Sequence, residues 1–196
     1  MFARTESLLL RPGWAEDAQA LYAAIADEAI VRNLASAPWP YSLADAEAFL
    51  ATERPADLPS FLLFRRTRGA PHLVGAAGLG RHPEGTIELA YWIARPFWGL
   101  GYATEAAEAI VGIARDALRL DRLVAGHFAD NPASGRVLEK VGFRLTGQIA
   151  QRYSAGRGAT GPCKLYECDL GREPSAAESD VADAAMSFEK AFCMAA

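Results

Sequence analysis

The sequence contains few of the residues that usually build metal centres or disulfide frameworks. Its 196 residues include three cysteines and three histidines, namely Cys163, Cys168, Cys193, His72, His82 and His127. The cysteines form no Cys-x-x-Cys pair and the histidines lie far apart, so neither set has the spacing of a zinc site. We therefore predict no metal, and reduced thiols in place of a disulfide framework.

The chain also lacks long apolar runs and an excess of positive charge. No apolar run reaches the length of a membrane span, about 18 residues, and Arg4, Glu6 and Arg11 interrupt the start, where a signal peptide would be apolar. Lys and Arg number 20 against 24 Asp and Glu, a formal net charge of -4. This balance gives no general attraction to nucleic acid or anionic lipid. We expect a cytoplasmic protein that binds neither nucleic acid nor a membrane.

Alternating strand and helix patterns indicate a packed α+β domain. Strands are predicted at residues 7–11, 61–65, 73–79, 86–94, 122–128 and 164–170, and helices at 14–27, 102–118 and 133–141. A further helix is predicted to begin at Ser42, with Asp45 completing a capping box. The segment between the last helix and the last strand is interpreted as a basic, glycine-rich loop.

The C-terminal segment differs from the rest of the chain in its charge. Residues 172–196 carry five acidic and two basic side chains, hence -3 of the net charge of -4. Val181, Ala185, Phe188 and Phe192 recur at helical spacing and form one apolar stripe. We therefore divide the chain into a main domain, residues 1–171, and an acidic helical tail, residues 172–196, which is either docked or frayed.

A glycine-rich turn between a strand and a helix, at residues 93–106, predicts an anion site. Gly99 and Gly101 lack a Cβ, so neighbouring backbone N–H groups can converge on a phosphate at the positive end of the helix. A dinucleotide fingerprint fails because Thr104 stands where a third glycine is needed, and no Gly-Lys-Ser/Thr follows for a P-loop. On its own the motif is equally consistent with a tight turn.

Three segments together resemble the GNAT acetyltransferase family: residues 88–93, residues 97–106 with Gly99-Leu100-Gly101, and residues 131–143, which begin Asn131-Pro132. Residues 8–12 and 40–47 resemble the branch that acetylates the N-termini of ribosomal proteins. The resemblance covers about residues 4–170 and implies a GNAT domain over 1–171. It implies a mixed, mostly antiparallel sheet whose central strands are splayed apart and flanked by helices, with acetyl-CoA held in the split.

The resemblance also implies which residues hold the cosubstrate. The backbone of Trp92, Ile93 and Ala94 would pair with the pantetheine arm. The pyrophosphate would lie on the turn formed by Trp98, Gly99, Leu100, Gly101, Tyr102, Ala103 and Thr104. Asn131, Ser134 and Arg136 would complete the site. Arg136 and Lys140, one helical turn apart, would either meet a CoA phosphate or only form a solvated helix face. Trp98 departs from the superfamily pattern of Gln or Arg, although an aromatic residue is usual in the branch.

Two residues are candidates for catalysis. Glu88 would act as the base, through a water molecule, unless it is only a charge on an exposed strand face. The Ser134 hydroxyl would hydrogen-bond the departing sulfur, unless it serves only the first turn of its helix. The tyrosine that many members use as an acid is replaced by Leu138. Protonation would then fall to Ser134, a water, Tyr153 or Tyr166.

The resulting prediction is an N-acetyltransferase that moves the acetyl group directly to a primary amine. A protein or peptide α-amine is the favoured acceptor. Neutralising it at pH 7 costs about 1–1.4 kcal/mol, against about 4.6 kcal/mol for a lysine. The alternatives are a small-molecule amine as acceptor, or a non-catalytic module that binds acyl-CoA. We expect a monomer or a homodimer.

Overall fold

A computed structural model describes residues 1–55, 57–67, 69–82 and 84–171, and an eight-stranded sheet runs through these residues. The strands are β1 Ala3–Arg4, β2 Leu8–Arg11, β3 Ser60–Arg65, β4 His72–Arg81, β5 Ile87–Ile93, β6 Arg122–Phe128, β7 Arg144–Ser154 and β8 Ala159–Asp169. Their order across the sheet is β1-β2-β3-β4-β5-β6-β8-β7. The predicted α+β class with a mixed, mostly antiparallel sheet is confirmed.

The two central strands, β5 and β6, separate soon after they meet. They pair in parallel through one bridge, Glu88 with Val124. By contrast, the ladder between β4 and β5 extends from the Gly75–Ile93 pair to the Arg81–Ile87 pair. Beyond this bridge no residues of β5 and β6 pair toward their C-terminal ends, so these ends lie apart. The predicted splay of the central strands is therefore confirmed.

Helices cover both faces of the sheet. They are α1 Ala18–Ile25, α2 Glu28–Val31, α3 Leu43–Ala51, α4 Tyr102–Gly112, which continues as a π-helical turn at Ile113–Ala117, and α5 Pro132–Lys140. Side chains alternate along β5, so Leu89 and Tyr91 pack in the core beneath α4 and α5, whereas Ala90 and Trp92 pack in the core beneath α1 and α3. Every residue of β5 is buried, which makes it the strand shared by both cores.

The start of α3 follows the sequence prediction. The Asp45 backbone N–H donates to Ser42 Oγ at 3.2 Å, and the Ser42 N–H donates to Asp45 Oδ2 at 2.8 Å. These reciprocal bonds satisfy donors that the first helical turn leaves without partners. The predicted capping box is confirmed.

The predicted helix over residues 14–27 is shorter than expected. A 3₁₀ turn at Ala15–Asp17 precedes α1, and Asp27 begins the separate short helix α2 by accepting from the Ala29 N–H at 2.9 Å. Asp17 is held by both Nη atoms of Arg11 at 2.7 Å. It also accepts from the Trp14 N–H at 2.8 Å. These bonds fix the segment as a turn before the helix proper begins.

The predicted loop before the last strand is wrong. Residues 144–154 form β7, an edge strand that pairs with β8, and β8 begins at Ala159, five residues earlier than expected. The register of β7 shifts between Leu145 and Ile149, where Gly147 has φ +80°. This bulge interrupts the two-residue alternation by which a strand is recognised.

The described residues end at Gly171, so the predicted tail helix over 172–196 and Cys193 lie outside them. None of the helices within the described ranges has both the length and the apolar character that a bilayer span requires.

Candidate active site

A cavity of about 310 Å³ opens beside the separated ends of β5 and β6, and we call it the gap cavity. The predicted cosubstrate residues in its wall are Ile93, Trp98, Gly99, Gly101, Tyr102, Ala103, Thr104, Asn131 and Arg136. Lys140, one turn beyond Arg136 on α5, lines it as well. The structure thus gathers three separate sequence segments around one space.

The glycine turn gives this wall the geometry that an anion site requires. Gly99 and Gly101 have φ +76° and +85°, and Gly101 is the N-cap of α4. A Cβ at either position would have no protein atom within 4 Å, so the turn is open to a ligand. The first N–H groups of a helix lack partners within the helix, and its N-terminus carries partial positive charge. The geometry suits a phosphate group.

The backbone after β5 is already partly engaged. The Ala94 N–H donates to Val74 C=O at 2.8 Å, on the β4 side. The Trp98 indole N–H donates to Ile93 C=O at 2.7 Å. Because backbone directions alternate along a strand, the Ile93 N–H faces the gap. Of the 92–94 segment, Ile93 is therefore the residue placed to pair with a ligand there.

Four predicted cosubstrate residues lie outside the wall of the gap cavity: Trp92, Ala94, Leu100 and Ser134. The Trp92 side chain is fully buried against α1 and α3, whereas Leu100 is 58% exposed beside the turn. Sequence reasoning did not include Asn33 and Phe97, which do line the cavity. Asn33 follows α2 and carries no recognisable motif.

A second cavity of about 270 Å³ lies on the sheet face that carries α1 and α3, and we call it the face cavity. Small residues of β4 and β5 form its floor, including Ala76, Gly78, Gly80 and Ala90. Residues of the segment between α3 and β3, including Arg54, form its rim, and Glu88 and His82 line one part. It combines an apolar floor with titratable groups.

Glu88 is buried, so the interpretation of it as an exposed charge is wrong. Only 2% of the Glu88 residue surface is exposed. Glu88 Oε1 lies 2.5 Å from Arg152 Nη1, and Oε2 lies 3.0 Å from His82 Nε2. Arg152 belongs to β7, on the far side of β6 and β8, and its side chain passes over Gly126, where a Cβ would lie 3.4 Å from Nη1. The carboxylate therefore belongs to a three-residue group.

Ser134 is also buried and is bonded to a residue of β5. Ser134 Oγ lies 2.9 Å from the Tyr91 hydroxyl, which also donates to Ser134 C=O at 3.1 Å. Both residues are 1% exposed. Ser134 thus links helix α5 to β5, the strand that separates from β6.

The tyrosines considered as substitutes for Leu138 lie elsewhere. Leu138 belongs to the core, and Tyr153 is 57% exposed on β7. The Tyr166 hydroxyl lies 3.4 Å from His127 Nε2, and burial, with Glu139 nearby, raises the pKa of Tyr166. Neither tyrosine lines the gap cavity or the face cavity.

The remaining histidines show no metal-binding arrangement. His127 is buried, its Nδ1 lies 2.8 Å from Phe128 C=O, and burial lowers its pKa. His72 is exposed at the start of β4. Within the ranges that the structure describes, no group of three or more His, Cys, Asp and Glu side chains could hold a metal ion.

Arg157, at the tip of the β7–β8 hairpin, binds both the segment after α2 and the loop before α5. Arg157 Nη1 and Nη2 bind the Asp130 carboxylate at 2.9 and 2.8 Å, and Nη2 also donates to Asn33 Oδ1 at 3.1 Å. The Arg157 guanidinium lies 4.3 Å from the Phe128 ring centroid. Its hydrogen bond lowers the pKa of Asp130. Because Asn33 lines the gap cavity and Asp130 precedes Asn131, these contacts support that cavity from behind.

Comparisons with known proteins identify the family. Residues 7–144 match the model of the acetyltransferase (GNAT) domain. This chain belongs to the GNAT acetyltransferase family. YoaA of Bacillus subtilis, an uncharacterised N-acetyltransferase, is 29% identical over 154 residues, which cover 75% of this chain and 85% of YoaA.

Solved GNAT structures share the fold. A GNAT acetyltransferase from Bacillus anthracis superposes with a TM-score of 0.74 at 22% identity, covering 88% of this chain and 100% of that one. The ribosomal L7/L12 α-N-protein acetyltransferase RimL, in complex with coenzyme A, superposes with a TM-score of 0.69 at 17% identity, covering 86% and 98%. This GNAT chain is accordingly an acetyltransferase, and its neighbours include one with bound CoA.

The gap cavity of this GNAT domain fits a CoA-type cosubstrate. The two positive-φ glycines leave an open cradle that any side chain would strain or fill. Arg136 and Lys140 add positive charge to the same wall, and Arg and Lys are the usual partners of phosphate oxygens. The donor set is thus that of a phosphate site.

Proposed function

We propose that this GNAT enzyme transfers the acetyl group of acetyl-CoA directly to a primary amine, with a protein or peptide N-terminal α-amine as acceptor. The observation that carries the proposal is that β5 lines both cavities, with Ile93 at the gap cavity and Glu88 at the face cavity. Direct transfer requires both substrates to be held together in a fixed orientation. A strand shared by the two cavities meets this requirement.

In this proposal the gap cavity holds the cosubstrate. The pyrophosphate lies on the amides of the turn from Trp98 through Leu100 to Thr104, and Arg136 and Lys140 face its phosphates. The Ile93 N–H pairs with the pantetheine arm, while Trp92 and Ala94 fix the strand on either side of it. Asn131 forms the opposite wall, at the start of α5.

The acceptor amine enters the face cavity and loses its proton at the end formed by Glu88 and His82. An α-amine titrates near 7.7–8.0, so its deprotonation costs roughly 3 kcal/mol less than that of lysine. An enzyme without a strongly basic group therefore serves an α-amine better than a lysine. The fold shared with RimL agrees with this acceptor class.

At the other end of the reaction, the Ser134 Oγ–H donates to the departing sulfur. Its position on α5 is on the cosubstrate side of the sheet, and in this step the Tyr91 hydroxyl donates to Ser134 Oγ, which leaves the Ser134 hydrogen for the sulfur. A hydrogen bond to a developing charge is stronger than one to a neutral group.

We place the enzyme in the cytoplasm, as a monomer or a homodimer.

The test is release of CoA thiol, detected with 5,5′-dithiobis(2-nitrobenzoate), across peptides that differ at the first residue, matched N-formyl peptides, polyamines and free amino acids. We expect turnover with free N-terminal peptides and none with their formylated controls. Turnover with polyamines or amino acids alone would show that the acceptor is a small-molecule amine and not a peptide N-terminus. Tight CoA binding by calorimetry with no turnover on any amine would leave only a binding module.

A further inference from the structure

The Glu88 carboxylate is enclosed by protein on both of its oxygens. Oε1 meets Arg152 Nη1 at 2.5 Å and Oε2 meets His82 Nε2 at 3.0 Å, with the Glu88 side chain 3% exposed. A carboxylate that accepts a guanidinium hydrogen bond already has its charge compensated. The imidazole at its second oxygen lines the same cavity, which makes His82 the next group to consider.

The local fold holds His82 in place. It directly follows β4, where its N–H donates to Thr86 C=O at 2.9 Å and its C=O accepts from the Gly85 N–H at 2.9 Å. Gly85 has φ +91°, which closes this turn. Gly80 pairs with Glu88 in the ladder and carries no side chain. The imidazole, two residues farther along the same face, therefore reaches the carboxylate diagonally.

Charged groups face His82 from several elements. Glu84, in its own turn, places Oε1 4.0 Å from His82 Nδ1, while Glu88 of β5 lies at Nε2 and Arg152 of β7 lies beyond Glu88. Across the cavity, Arg54 donates to Ser60 Oγ, and Arg81 is paired with Asp57. Exposed Glu53 completes the rim. A carboxylate thus lies near each imidazole nitrogen.

We propose that His82 is the general base of acetyl transfer and that Glu88 is its positioning residue, an inference that rests on the proposed function. An N–H bond of the acceptor ammonium breaks, and an N–H bond forms at Nδ1 of the imidazole ring, because Nε2 faces the Glu88 carboxylate. The electron pair stays on the amine nitrogen, which becomes the nucleophile. The Glu88 carboxylate, with Oε2 3.0 Å from Nε2, compensates the charge of the imidazolium.

Histidine suits this step because its charge changes between about pH 5 and 8 in ordinary environments. A base is most effective when it titrates near the working pH. The arrangement assigns separate tasks to the three side chains: Arg152 binds Glu88, Glu88 compensates the charge of His82, and His82 takes the proton of the amine.

The decisive variant is His82→Gln, with His72→Gln as the matched control at the exposed opposite end of β4. We expect His82→Gln to lower kcat/KM by about a hundredfold, the usual range for a lost general base. Its CoA affinity by calorimetry should equal that of the wild type, which also shows that the variant is folded. Wild-type kcat/KM in a folded His82→Gln protein would overturn the proposal.

The pH profile separates His82 from Glu88. The wild-type kcat/KM should have a rising acidic limb set by the base, separate from the titration of the α-amine acceptor. His82→Gln should abolish this rise, whereas Glu88→Gln should keep it but shift it to lower pH, because the imidazolium loses its counter-charge. The reverse pattern, with the rise lost only in Glu88→Gln, would make Glu88 the base and contradict the proposal.

Chemical rescue provides a readout that a purely structural role would not produce. Added imidazole should raise the rate of His82→Ala at least tenfold. The same addition should leave the rate of Glu88→Gln unchanged. Absence of rescue in a variant that still binds CoA would count against His82. Failure of the proposed function looks different, because the wild type itself would then release no thiol with any amine.

Discussion

The two cavities on either side of β5 are built in different ways. The anion-binding wall of the gap cavity comes mainly from one continuous stretch, residues 97–104, and uses backbone N–H groups and glycine φ angles. The charged end of the face cavity uses side chains from the β4 turn, β5 and β7, which are brought together by the sheet. One site is local and made of backbone, whereas the other is distant in sequence and made of side chains.

The proposed function accounts for this difference by what each site would bind. A phosphate offers the same charge and oxygens in every CoA molecule, so a helix N-terminus and a glycine turn suffice. An acceptor amine must be deprotonated and told apart from other amines, which requires particular titratable groups in particular positions. Substitutions in the two regions should therefore change different measured quantities.

The largest effect that we expect in this comparison is on kcat alone. Ser134→Ala should lower kcat by about ten- to a hundredfold at every pH, because a donor to the leaving group is needed whatever the state of the amine. The Tyr91 hydroxyl keeps Ser134 C=O as an acceptor, so the variant should fold and bind CoA normally. Stopped assays across pH and calorimetry check both points. An unchanged kcat would show that Ser134 does not assist the leaving group and only bonds to Tyr91.

Gly101→Val should instead change CoA affinity alone. A β-branched residue is strained at φ +85° and its side chain would enter the open cradle. We expect a loss of tenfold or more in affinity, about 1.4 kcal/mol. Gly147→Val is the matched control, since Gly147 has φ +80° and the same open surroundings but lies in the β7 bulge. Equal losses in both variants would show general strain instead of a phosphate site.

Arg157→Gln tests whether the β7–β8 hairpin supports the gap cavity. Its loss frees Asn33 and Asp130 behind the gap cavity, so CoA affinity should fall by about threefold, the value of one ordinary hydrogen bond. Arg144→Gln, which breaks an exposed ion pair with Asp169 at the other end of the hairpin, should leave affinity unchanged. Calorimetry on both variants decides the matter.

The smallest expected effect is on the pH dependence of stability and involves His127, which lines neither cavity. Burial lowers the pKa of His127 in the folded chain below 6.5. As the pH falls through 6.5, the unfolded chain takes up a proton that the folded chain does not, so the free energy of unfolding decreases. His127→Gln should show a shallower decrease of Tm between pH 7 and about pH 5 than the wild type. Exposed His72→Gln should not, as differential scanning fluorimetry can establish.

The same contrast explains how much the sequence could predict. The sequence predicts that Gly99, Gly101, Arg136 and Lys140 share a site because a turn and a helix repeat preserve their relation within a few residues, and the structure places all four in the wall of the gap cavity. The sequence also names Glu88 as a candidate base, but it predicts none of the surroundings of Glu88. Arg152 reaches it across β6 and β8 from a strand whose alternation the Gly147 bulge conceals. No local pattern records a contact between residues 64 positions apart.

The β7–β8 hairpin carries Arg152 and Arg157 only five positions apart, one facing Glu88 and the other facing Asn33 and Asp130. An insertion or deletion between them would move one arginine away from its partner while the other stayed in place. The length of this stretch is therefore under tighter constraint than its surface side chains. Under the proposed function, directed evolution towards a new acceptor would vary the rim around residues 52–55 and keep the hairpin.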